Sequence, residues 1–407
     1  MVGGGLAGLT LAAALGDAGI DTVVVERRDP ATMDDALFDG RTTAVAHGPM
    51  QALDAIGVWP LISHDAAPIL EIRVSDGRPG GYTSPLFLHY DHAEVGNHPL
   101  GYIVENRLIR RALMRRVGEC PSVRMLAPAA VADLADHADG AILTLDDGRR
   151  LRTQLVAACD GRASPLRAMA GIAVTDLRYP QTALVCTVAH ARPHGNIAHE
   201  RFLPGGPFAI LPMTDDPAGT YRHRSSIVWS EDAALAAEIA LLDDDGFMRE
   251  LGRRFGDFLG GIALAGPRFA YPLALHLAHS YGSGRLVLVG EAAHGIHPIA
   301  GQGLNMGWRD VAALAEEIVD ARRLGLDVGR PDILRRYQAR RRTDNLLLAT
   351  VTDVLNRLFS NDIPGVRQAR DLGLAAVNRL PPLKRTLMRH AMGVLGDRPR
   401  LVKGEKL

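Results

Sequence analysis

Short runs of consecutive apolar residues mark buried strands along the chain. These runs occupy residues 22–25, 155–159 and 286–289. Each is short enough for a strand, rich in aliphatic residues, and leads directly into glycine or an acidic residue. A small-residue, alanine-rich stretch over 6–15 predicts a helix between the first glycines and the first of these strands. The pattern therefore predicts an α/β protein.

Two further patterns describe the rest of the chain. Strand-like alternation with glycine and proline breaks covers residues 70–91 and 182–227 and predicts a β-rich layer. Residues 141–151 read as a hairpin that turns at Asp147-Gly148. The C-terminal third predicts helices over residues 331–356, 367–380 and 383–395.

The first motif surrounds the alanine-rich helix. Gly3, Gly5 and Gly8 fit G-x-G-x-x-G, and the strand at 22–25 ends at Glu26. Glycines at this spacing let the backbone approach a pyrophosphate, which then lies on the positive end of the helix. An acidic residue about 20 positions later accepts hydrogen bonds from the adenosine ribose. The motif predicts dinucleotide binding rather than a simple tight turn.

This motif lacks its usual first strand. A strand of about five residues should precede Gly3, whereas only Met1 and Val2 do. Either the true start lies upstream, or the sheet lacks its central strand. The second alternative would leave Val23 and Val24 without a sheet neighbour, so we expect the true start to lie upstream.

Two more motifs follow the later strands. The strand at 155–159 runs into Asp160-Gly161, and Ser164 precedes a helix that begins near Pro165. The strand at 286–289 runs into Gly290-Glu291 and then into a proline- and glycine-rich loop before a helix that starts near Leu304. Free backbone N–H groups and a helix dipole at such a loop suit the negative charge of a reduced flavin.

Composition and charge narrow the functional classes. Lysine plus arginine equals aspartate plus glutamate at 46 each, so no net charge favours nucleic acid. Three cysteines without paired spacing predict reduced thiols, and the histidines show no ligand spacing, so no metal is assigned. No signal peptide and no apolar run of about 18 residues is found. Residues 363–407 carry ten basic and three acidic side chains, a net charge of +7.

These motifs together resemble the FAD-dependent class A aromatic hydroxylases, and among them the ubiquinone-biosynthesis hydroxylase family. The similarity covers nearly the whole chain, and its most specific runs are HPIAGQGLNMGWRD and LNRLFSND. Others are VGGGLAGLTLA, GRTTAVAHG, YIVENRLIRRAL and ACDGRASPLR. One departure concerns Glu291, because the family commonly has aspartate at this position.

The resemblance implies the residues of a flavin site. The expected cofactor contacts are Gly3, Gly5, Leu6, Ala7, Gly8, Glu26, Arg27, Arg41, Arg107, Asp160, Gly161, Glu291, Pro298, Gly301, Gln302, Gly303, Leu304 and Asn305. Arg41 and Arg107 match positions that lie near the flavin and its pyrophosphate in the family. His294, His297 and Pro298 are the candidate catalytic residues, with proton handling or a structural role open for both histidines.

The resemblance also implies the reaction. NAD(P)H reduces FAD, O2 adds at C4a, and the distal oxygen of the resulting hydroperoxyflavin is transferred to an electron-rich phenol. The expected substrate is a hydrophobic, polyprenylated phenol of ubiquinone biosynthesis. Phe208, Ile210 and Pro212 alternate along one strand and either line its apolar pocket or pack in the core.

The expected fold is a Rossmann-like FAD-binding domain of the para-hydroxybenzoate-hydroxylase type with a β-rich substrate domain and C-terminal helices. The FAD-binding domain is expected at 1–69, 100–175 and 270–330, the substrate domain at 70–99 and 176–269, and the helices at 331–407. In the helix at 383–395, an apolar stripe lies beside Lys384, Arg385 and Arg389. The stripe comprises Leu387, Met388, Met392 and Leu395, and predicts either a membrane-surface helix or an ordinary docked one.

From this resemblance we expect a cytoplasmic protein that is peripheral to the inner face of the membrane and contacts a quinone-biosynthesis complex. Two alternatives keep the same motifs. One retains FAD but hydroxylates a soluble phenol or saturates a prenyl chain. The other is a non-catalytic scaffold that has lost flavin because its first strand is absent.

Overall fold

A computed structural model describes residues 1–34, 40–80, 82–360 and 364–407 of the chain. Residue 363 and the end of the LNRLFSND run lie outside the described residues. The helices are α1 (Leu6–Asp17), α2 (Pro30–Asp34), α3 (His47–Ala55), α4 (Asn106–Gly118), α5 (Pro165–Met169), α6 (Ala233–Ala240), α7 (Asp244–Phe255), α8 (Gly303–Arg323), α9 (Pro331–Phe359), α10 (Pro364–Asn378) and α11 (Pro381–Ala391).

The strands are β1 (Thr22–Val25), β2 (Thr42–Ala46), β3 (Ala67–Ile69), β4 (Glu71–Arg78), β5 (Tyr82–Thr83), β6 (Leu88–Asp91), β7 (Gly101–Glu105), β8 (Val123–Leu126), β9 (Val131–His137), β10 (Gly140–Leu145), β11 (Arg150–Thr153), β12 (Val156–Ala158), β13 (Val174–His190), β14 (Ile197–Leu203), β15 (Gly206–Met213), β16 (His223–Asp232), β17 (Ile262–Leu264), β18 (Phe269–Ala278), β19 (Gly282–Ser283), β20 (Leu286–Leu288) and β21 (His294–Gly295). They alternate with helices at the start of the chain and then follow one another in groups, from β3 to β7, β8 to β12, β13 to β16 and β17 to β21.

A parallel sheet carries the three glycine-containing motifs. β1 pairs with β8, and β12 pairs with β20, both in parallel. Val2 bridges the two pairs through parallel bridges to Val25 and Ala158. Its N–H donates to the Ala157 carbonyl at 2.9 Å, and its own carbonyl accepts from the Cys159 N–H at 2.8 Å. Val2 therefore occupies the place of the central strand.

The expectation that Val23 and Val24 would lack a neighbour without a full central strand is wrong. Val23 is in register with Arg124, and Val24 with Met125. The backbone of β1, the second strand of the motif, forms its hydrogen bonds with β8 on the other side. The sequence pattern does not predict this pairing.

A ten-stranded, mainly antiparallel sheet forms the second layer, in the order β21-β18-β13-β16-β15-β14-β4-β5, with β17 beside β13 and β6 beside β4. The predicted β-rich stretches 70–91 and 182–227 lie in this sheet. β18 pairs with β13 as well, so the stretch 270–330 that was assigned to FAD binding begins inside this sheet. Smaller sheets join β2-β7-β3 and β11-β10-β9, the latter including the predicted hairpin.

The two faces of the large sheet pack differently. On the outer face, Phe208, Ile210 and Trp229 form a core with α6 and α7. On the inner face, apolar clusters with fewer buried residues join the sheet to β2, to the loop before α8 and to the C-terminal helices. The inner face therefore lies towards the motif-bearing half of the protein.

The predicted apolar stripe of the last helix is divided between two environments. Met388 and Met392 are buried in a cluster with Ile69 and Leu100, while Leu387 and Leu395 are exposed by 40% and 47%. Lys384 is also buried and pairs with Glu94 at 2.5 Å. The methionine side of α11 is thus a docked helix face. Within the described ranges, no helix has the length and apolarity that a membrane crossing requires.

Candidate active site

The three sequence motifs meet at one edge of the parallel sheet. Gly3, Asp160 and Gly290 each follow the carboxyl end of a strand or, for Gly3, the Val2 bridge. A Cβ built at Gly3 would lie 2.9 Å from the Asp160 nitrogen, and one at Gly290 would lie 3.4 Å from the Ala7 Cβ. In open parallel sheets this edge is where cofactors bind.

The glycines of the first motif have three distinct roles. Gly3 has a φ of +103°, and a Cβ there would lie 2.3 Å from the Cys159 carbonyl oxygen. A Cβ at Gly8 would lie 2.0 Å from the Gly3 oxygen, so this glycine lets α1 pack on the turn. A Cβ at Gly5 would meet nothing within 4 Å. Gly5 faces open space at the start of α1, together with Leu6 and Ala7, where a pyrophosphate requires close backbone approach.

Glu26 lies where the fingerprint predicts it. Its side chain is 6% exposed, and its two oxygens accept from the Gly4 N–H at 2.6 Å and the Arg28 N–H at 2.9 Å. These bonds fix the carboxylate beside the glycine turn. Arg27 is exposed next to it.

Arg41 and Arg107 lie beside the start of α4. The Asn106 N–H donates to the Arg41 carbonyl at 3.0 Å, which brings the two arginines to neighbouring strand ends. The Arg107 side chain is 45% exposed and donates to Glu105 at 2.6 Å. The structure thus places the two arginine residues at adjacent strand ends, with the Arg41 guanidinium 5.9 Å from the centre of the Tyr271 ring.

Asp160 carries an unsatisfied polar atom. Its Oδ2 accepts from the Leu166 N–H at 3.3 Å, whereas its buried Oδ1 has no partner. Burial raises the pKa of this carboxyl above its ordinary value, against the hydrogen bonds from Ser164 and Leu166. Gly161 follows with a φ of +85°. A buried oxygen without a donor at a cofactor edge fits a hydroxyl-bearing ligand.

The loop before α8 is held by backbone and amide contacts. Gly301 has a φ of +60°, and a Cβ there would approach Ala44 at 3.0 Å. Asn305 accepts from the Ala46 N–H at 2.9 Å and donates to the Ala44 carbonyl at 2.7 Å. Asn305 therefore ties the first turn of α8 to β2.

The N-terminus of α8 has no side-chain cap. Gln302, its N-cap residue, makes no capping hydrogen bond, and a Cβ at Gly303 would meet nothing within 4 Å. The first turn of Gly303 and Leu304 therefore presents backbone N–H groups and the positive helix end. Glu291 is exposed at the far end of this segment, and Pro298 is half-buried within it.

His294 belongs to a buried ionic cluster behind the loop. Its Nε2 lies 2.5 Å from Asp310 Oδ2, and Arg341 donates to Asp310 Oδ1 at 2.9 Å. Asn345 donates to the same oxygen at 3.0 Å. Burial alone would raise the pKa of Asp310, but His294 and Arg341 hold it well below its usual range. This arrangement favours the structural interpretation of His294.

His297 has a different environment. The side chain is fully buried, neither ring nitrogen has a hydrogen-bond partner, and the ring meets Tyr179 edge-on at 5.3 Å. Burial lowers its pKa to about 4, although Asp353 opposes the shift. The ring is therefore neutral at pH 7 and next to Pro298.

The predicted substrate residues lie on the outer face of the large sheet. Phe208 and Ile210 are 0% and 1% exposed and pack against Trp229 and Phe247. Pro212 is buried further along β15. This placement favours core packing over a pocket for Phe208 and Ile210. The predicted alternation along the strand is present, but the sequence does not say which set of residues faces the cofactor side.

The inner face carries the complementary set. Leu211 of β15, Ile72 and Val74 of β4 and Val228 of β16 are half-buried there. They belong to clusters that include Ala44 of β2 and two residues of the loop before α8, Ile296 and Ile299. An apolar surface therefore lies opposite the predicted flavin loop.

Other contacts at the site were not anticipated from the sequence. Trp308 donates to Thr10 at 3.0 Å and so joins α8 to α1. Gly307 and Gly290 approach so closely that a Cβ at Gly307 would lie 3.4 Å from the Gly290 Cα. Arg341 and Asn345 are one helical turn apart, but Asp310 precedes them by 31 and 35 residues, so no local sequence pattern indicates their convergence.

These features fit FAD. The glycine turn leaves room for a pyrophosphate, Glu26 suits an adenosine ribose, Asp160 offers an unpaired oxygen, and the uncapped start of α8 suits the negative side of a flavin ring.

Comparisons with known proteins agree with this fit. A family model described as FAD binding domain matches residues 1–345. Ubiquinone hydroxylase UbiL of Rhodospirillum rubrum is 50% identical over 100% of this chain and 92% of its own. The 3-demethoxyubiquinol 3-hydroxylase of Escherichia coli is 34% identical over 97% of this chain and 98% of its own.

The crystal structure of p-nitrophenol 4-monooxygenase PnpA from Pseudomonas putida has the same fold, with a TM-score of 0.78 at 21% identity over 98% of both chains. The predicted fold class and cofactor are confirmed. The chain belongs to the family of FAD-dependent monooxygenases that includes the ubiquinone-biosynthesis hydroxylases.

Proposed function

We propose that this protein hydroxylates the aromatic ring of a polyprenylated phenol in ubiquinone biosynthesis, using NAD(P)H and O2. The observation that carries the proposal is the apolar inner face of the large sheet opposite the uncapped start of α8. Such an arrangement would hold a hydrophobic ring next to a flavin and keep water from it. The relatives named for ubiquinone hydroxylation support this choice of substrate.

When bound, FAD supplies the redox chemistry with NAD(P)H and O2. The residues of this chain would bind and orient it. The glycine turn at Gly3–Gly8 and Arg107 would hold the phosphates, Glu26 the adenosine ribose, and Asp160 and Glu291 the hydroxyl groups between the two rings. The first N–H groups of α8 would stabilise negative charge on the reduced ring.

The substrate assignment is tested in a bacterial strain that lacks its own 3-demethoxyubiquinol 3-hydroxylase. We expect the chain to restore ubiquinone, with mass spectrometry showing depletion of the unhydroxylated intermediate. The matched control is Gly5→Ala, which should fold but should not restore the quinone. A yellow, NAD(P)H-oxidising protein that leaves the intermediate untouched and hydroxylates only soluble phenols would contradict the proposal.

We further propose that α9 to α11 contact an anionic membrane surface. Apolar side chains on these helices are exposed, among them Leu347 by 54%, Leu372 by 65% and Leu380 by 52%. Exposed Arg379, Arg385 and Arg389 lie on the same segment. Leucines together with arginines are the composition of a helix that lies on anionic lipid, and a polyprenyl substrate resides in that phase.

Sedimentation with lipid vesicles tests this contact. We expect the protein to bind phosphatidylglycerol vesicles, and the triple variant Leu380→Ser, Leu383→Ser, Leu387→Ser to bind at least tenfold less. A fully buried leucine contributes roughly 1.5–3 kcal/mol, and a loss of about 1.4 kcal/mol already lowers affinity tenfold. Leu241→Ser is the control, because Leu241 is 88% exposed on a different part of the protein. Equal binding by all three proteins would remove the proposed contact.

A further inference from the structure

Glu200 is an acidic side chain in the middle of the apolar inner face. It lies on β14, where Ala198 and Phe202 are the neighbours on the same face. Across the sheet it is in register with Val74 of β4 and Ala209 of β15. Along its own strand and in both adjacent strands, the side chains next to Glu200 on this face are therefore apolar.

The neighbours of Glu200 on β14 pack against segments of the predicted flavin site. Ala198 clusters with Ala44 of β2, the strand that Asn305 ties to the start of α8. Phe202 packs with Ile299 of the loop before α8. Glu200 thus lies between two contacts that join the sheet to the segment expected around the flavin ring.

Glu200 lines an internal space. The side chain lies deep in the protein, on a strand that has a neighbour on each side, yet it is only half-buried. Val74 and Leu211, which surround it on this face, are half-buried as well. Side chains in the interior of a sheet that is covered on this face remain accessible only when they border a space.

The most deeply buried carboxylates of the described chain have cationic partners, whereas Asp160 and Asp371 each keep one buried oxygen without a hydrogen-bond partner. Asp76 pairs with Arg370 at 2.8 Å, Glu231 with Arg254 at 3.0 Å, and Asp310 with Arg341. Among the described residues, no donor hydrogen-bonds or ion-pairs with the Glu200 carboxylate. Burial in these apolar surroundings raises its pKa to about 7.

Few charged groups face Glu200 from the elements around it. On β4 and α10 these are Asp76 and Arg370, which pair with each other, and Asp371, whose charge raises the pKa of Asp76. On β6 it is Tyr90, whose own pKa is raised to about 12 by burial. The facing positions of β15 are apolar. A buried carboxyl group without a partner lowers the stability of the fold. Its presence beside the space opposite the predicted flavin loop therefore indicates that it binds a ligand there.

Resting on the proposed function, we infer that Glu200 is a catalytic residue that takes the proton of the substrate's ring hydroxyl. The phenol O–H bond breaks, an O–H bond forms on the carboxylate, and the electron pair stays on the ring oxygen. The charge spreads to the ortho and para carbons and makes them more reactive towards an electrophilic oxygen. After the new C–O bond forms, the ring carbon loses its proton to solvent and Glu200 returns its proton to the ring oxygen.

A base with a pKa near the working pH is suited to this step. The hydrogen bond to the carboxylate would also orient the ring, since Asp76, a neighbouring acidic side chain on this face, is already paired with Arg370. The polyprenyl tail would then extend along the apolar side chains of β4 and β15.

The variant Glu200→Gln tests the inference, with Glu200→Asp as the conservative variant and the exposed Glu238→Gln as the control. All are assayed as flavin-loaded enzymes with a short-chain prenylphenol, through kcat and KM between pH 5.5 and 9. Binding of the same phenol is measured separately from the change in flavin absorbance. We expect the wild-type kcat/KM to rise with pH through about 7.

In Glu200→Gln we expect that rise to disappear and kcat to fall about 100-fold or more, with phenol binding changed less than tenfold. Glu200→Asp should restore the pH-dependent rise, and Glu238→Gln should match the wild type. Retention of wild-type kcat and pH profile by Glu200→Gln would overturn the inference. So would loss of folding or of flavin in that variant, because removing a charge from an apolar face should not destabilise it.

The two proposals fail separately in this experiment. If the wild type does not hydroxylate the prenylphenol, the proposed function is wrong. If the wild type does so and Glu200→Gln does so equally well, only the role of Glu200 is wrong.

Discussion

The carboxyl edge of the parallel sheet and the inner face of the ten-stranded sheet are built in different ways. At the edge, the site consists of backbone: positive φ values at Gly3, Gly290 and Gly301, and free N–H groups at the start of α8. On the inner face, the site consists of alternate side chains such as Leu211 and Val228. A backbone site requires particular residues, whereas a side-chain site requires only that one face be apolar.

The two regions therefore tolerate substitution differently. One methyl group added at Gly3 or Gly8 of the edge would meet backbone atoms. An added methyl group on the inner face would meet the space that we propose for the substrate. The loop before α8 joins the regions, and the Asp310 cluster holds that loop from behind.

The largest effect is expected at Gly8. Its Cβ would lie 2.0 Å from the Gly3 oxygen, so Gly8→Ala should prevent the turn from packing and give an unfolded or flavin-free protein. Gly5→Ala is the matched comparison, because its Cβ meets no protein atom. We expect it to keep the wild-type circular dichroism but lose flavin absorbance. Normal flavin content in Gly8→Ala would contradict the backbone account of this edge.

The second effect concerns the junction of the two regions. Asp310→Asn removes the fully buried countercharge of Arg341 and leaves only the partly exposed Asp344, so it should lower the free energy of unfolding by about 3–5 kcal/mol. Asp344→Asn removes a carboxylate that also pairs with Arg341 but is 26% exposed, so it should cost much less. Urea denaturation measures both, and equal losses would show that the buried cluster does not hold the loop.

A third pair distinguishes the faces of β15. Phe208→Ala should lower the free energy of unfolding by about 3–5 kcal/mol through an outer-face cavity, with KM for a prenylphenol unchanged. Ala209→Leu points to the inner face and should raise KM severalfold with little change in stability. The opposite distribution of effects would mean that the substrate lies on the outer face, next to Phe208, Ile210 and Pro212.

The smallest effect is a pH dependence of stability at His297. The unfolded chain takes up a proton below pH 6.5, but the folded side chain does so only near its pKa of about 4. The free energy of unfolding should therefore fall as the pH drops from 6.5, by about 2 kcal/mol at pH 5 for this one residue.

Urea titrations of the wild type and His297→Phe at pH 7 and pH 5 measure this term. The wild type should lose about 2 kcal/mol more than the variant over this interval, while His64→Phe, an exposed control, should follow the wild type. Parallel losses in wild type and His297→Phe would mean that His297 is protonated in the folded protein.

The same contrast decides what could be predicted from the sequence. The edge was predictable because the backbone geometry of the turn requires glycine at positions 3, 5 and 8, and the spacing of the motif requires an acidic residue near Glu26. The start of α8 was predicted within one residue, since proline and glycine must precede it. The position of Val2 between the two strand pairs was not predictable, because a bridge of one residue leaves no alternation of apolar and polar residues in the sequence.

The inner face was not predictable in the same detail. Alternation showed that β15 has two faces, but both sets of residues are apolar, so nothing local distinguished Phe208 from Ala209. Glu200 lies between His199 and Arg201 in the sequence, and its apolar surroundings arise only from the pairing of its strand with Val74 and Ala209. The apolar stripe on α11 was not resolved for the same reason: all four of its residues are apolar, and only the packing of the helix shows that Met388 and Met392 are the buried ones.

The central claim is that FAD at the sheet edge delivers oxygen to a prenylated phenol held against the inner face. The most direct measurement uses the purified protein with NAD(P)H, a short-chain prenylphenol and 18O2, followed by mass spectrometry of the product. The account predicts flavin absorbance and one 18O atom per product ring. A colourless protein, or a product that carries oxygen from water, would contradict it.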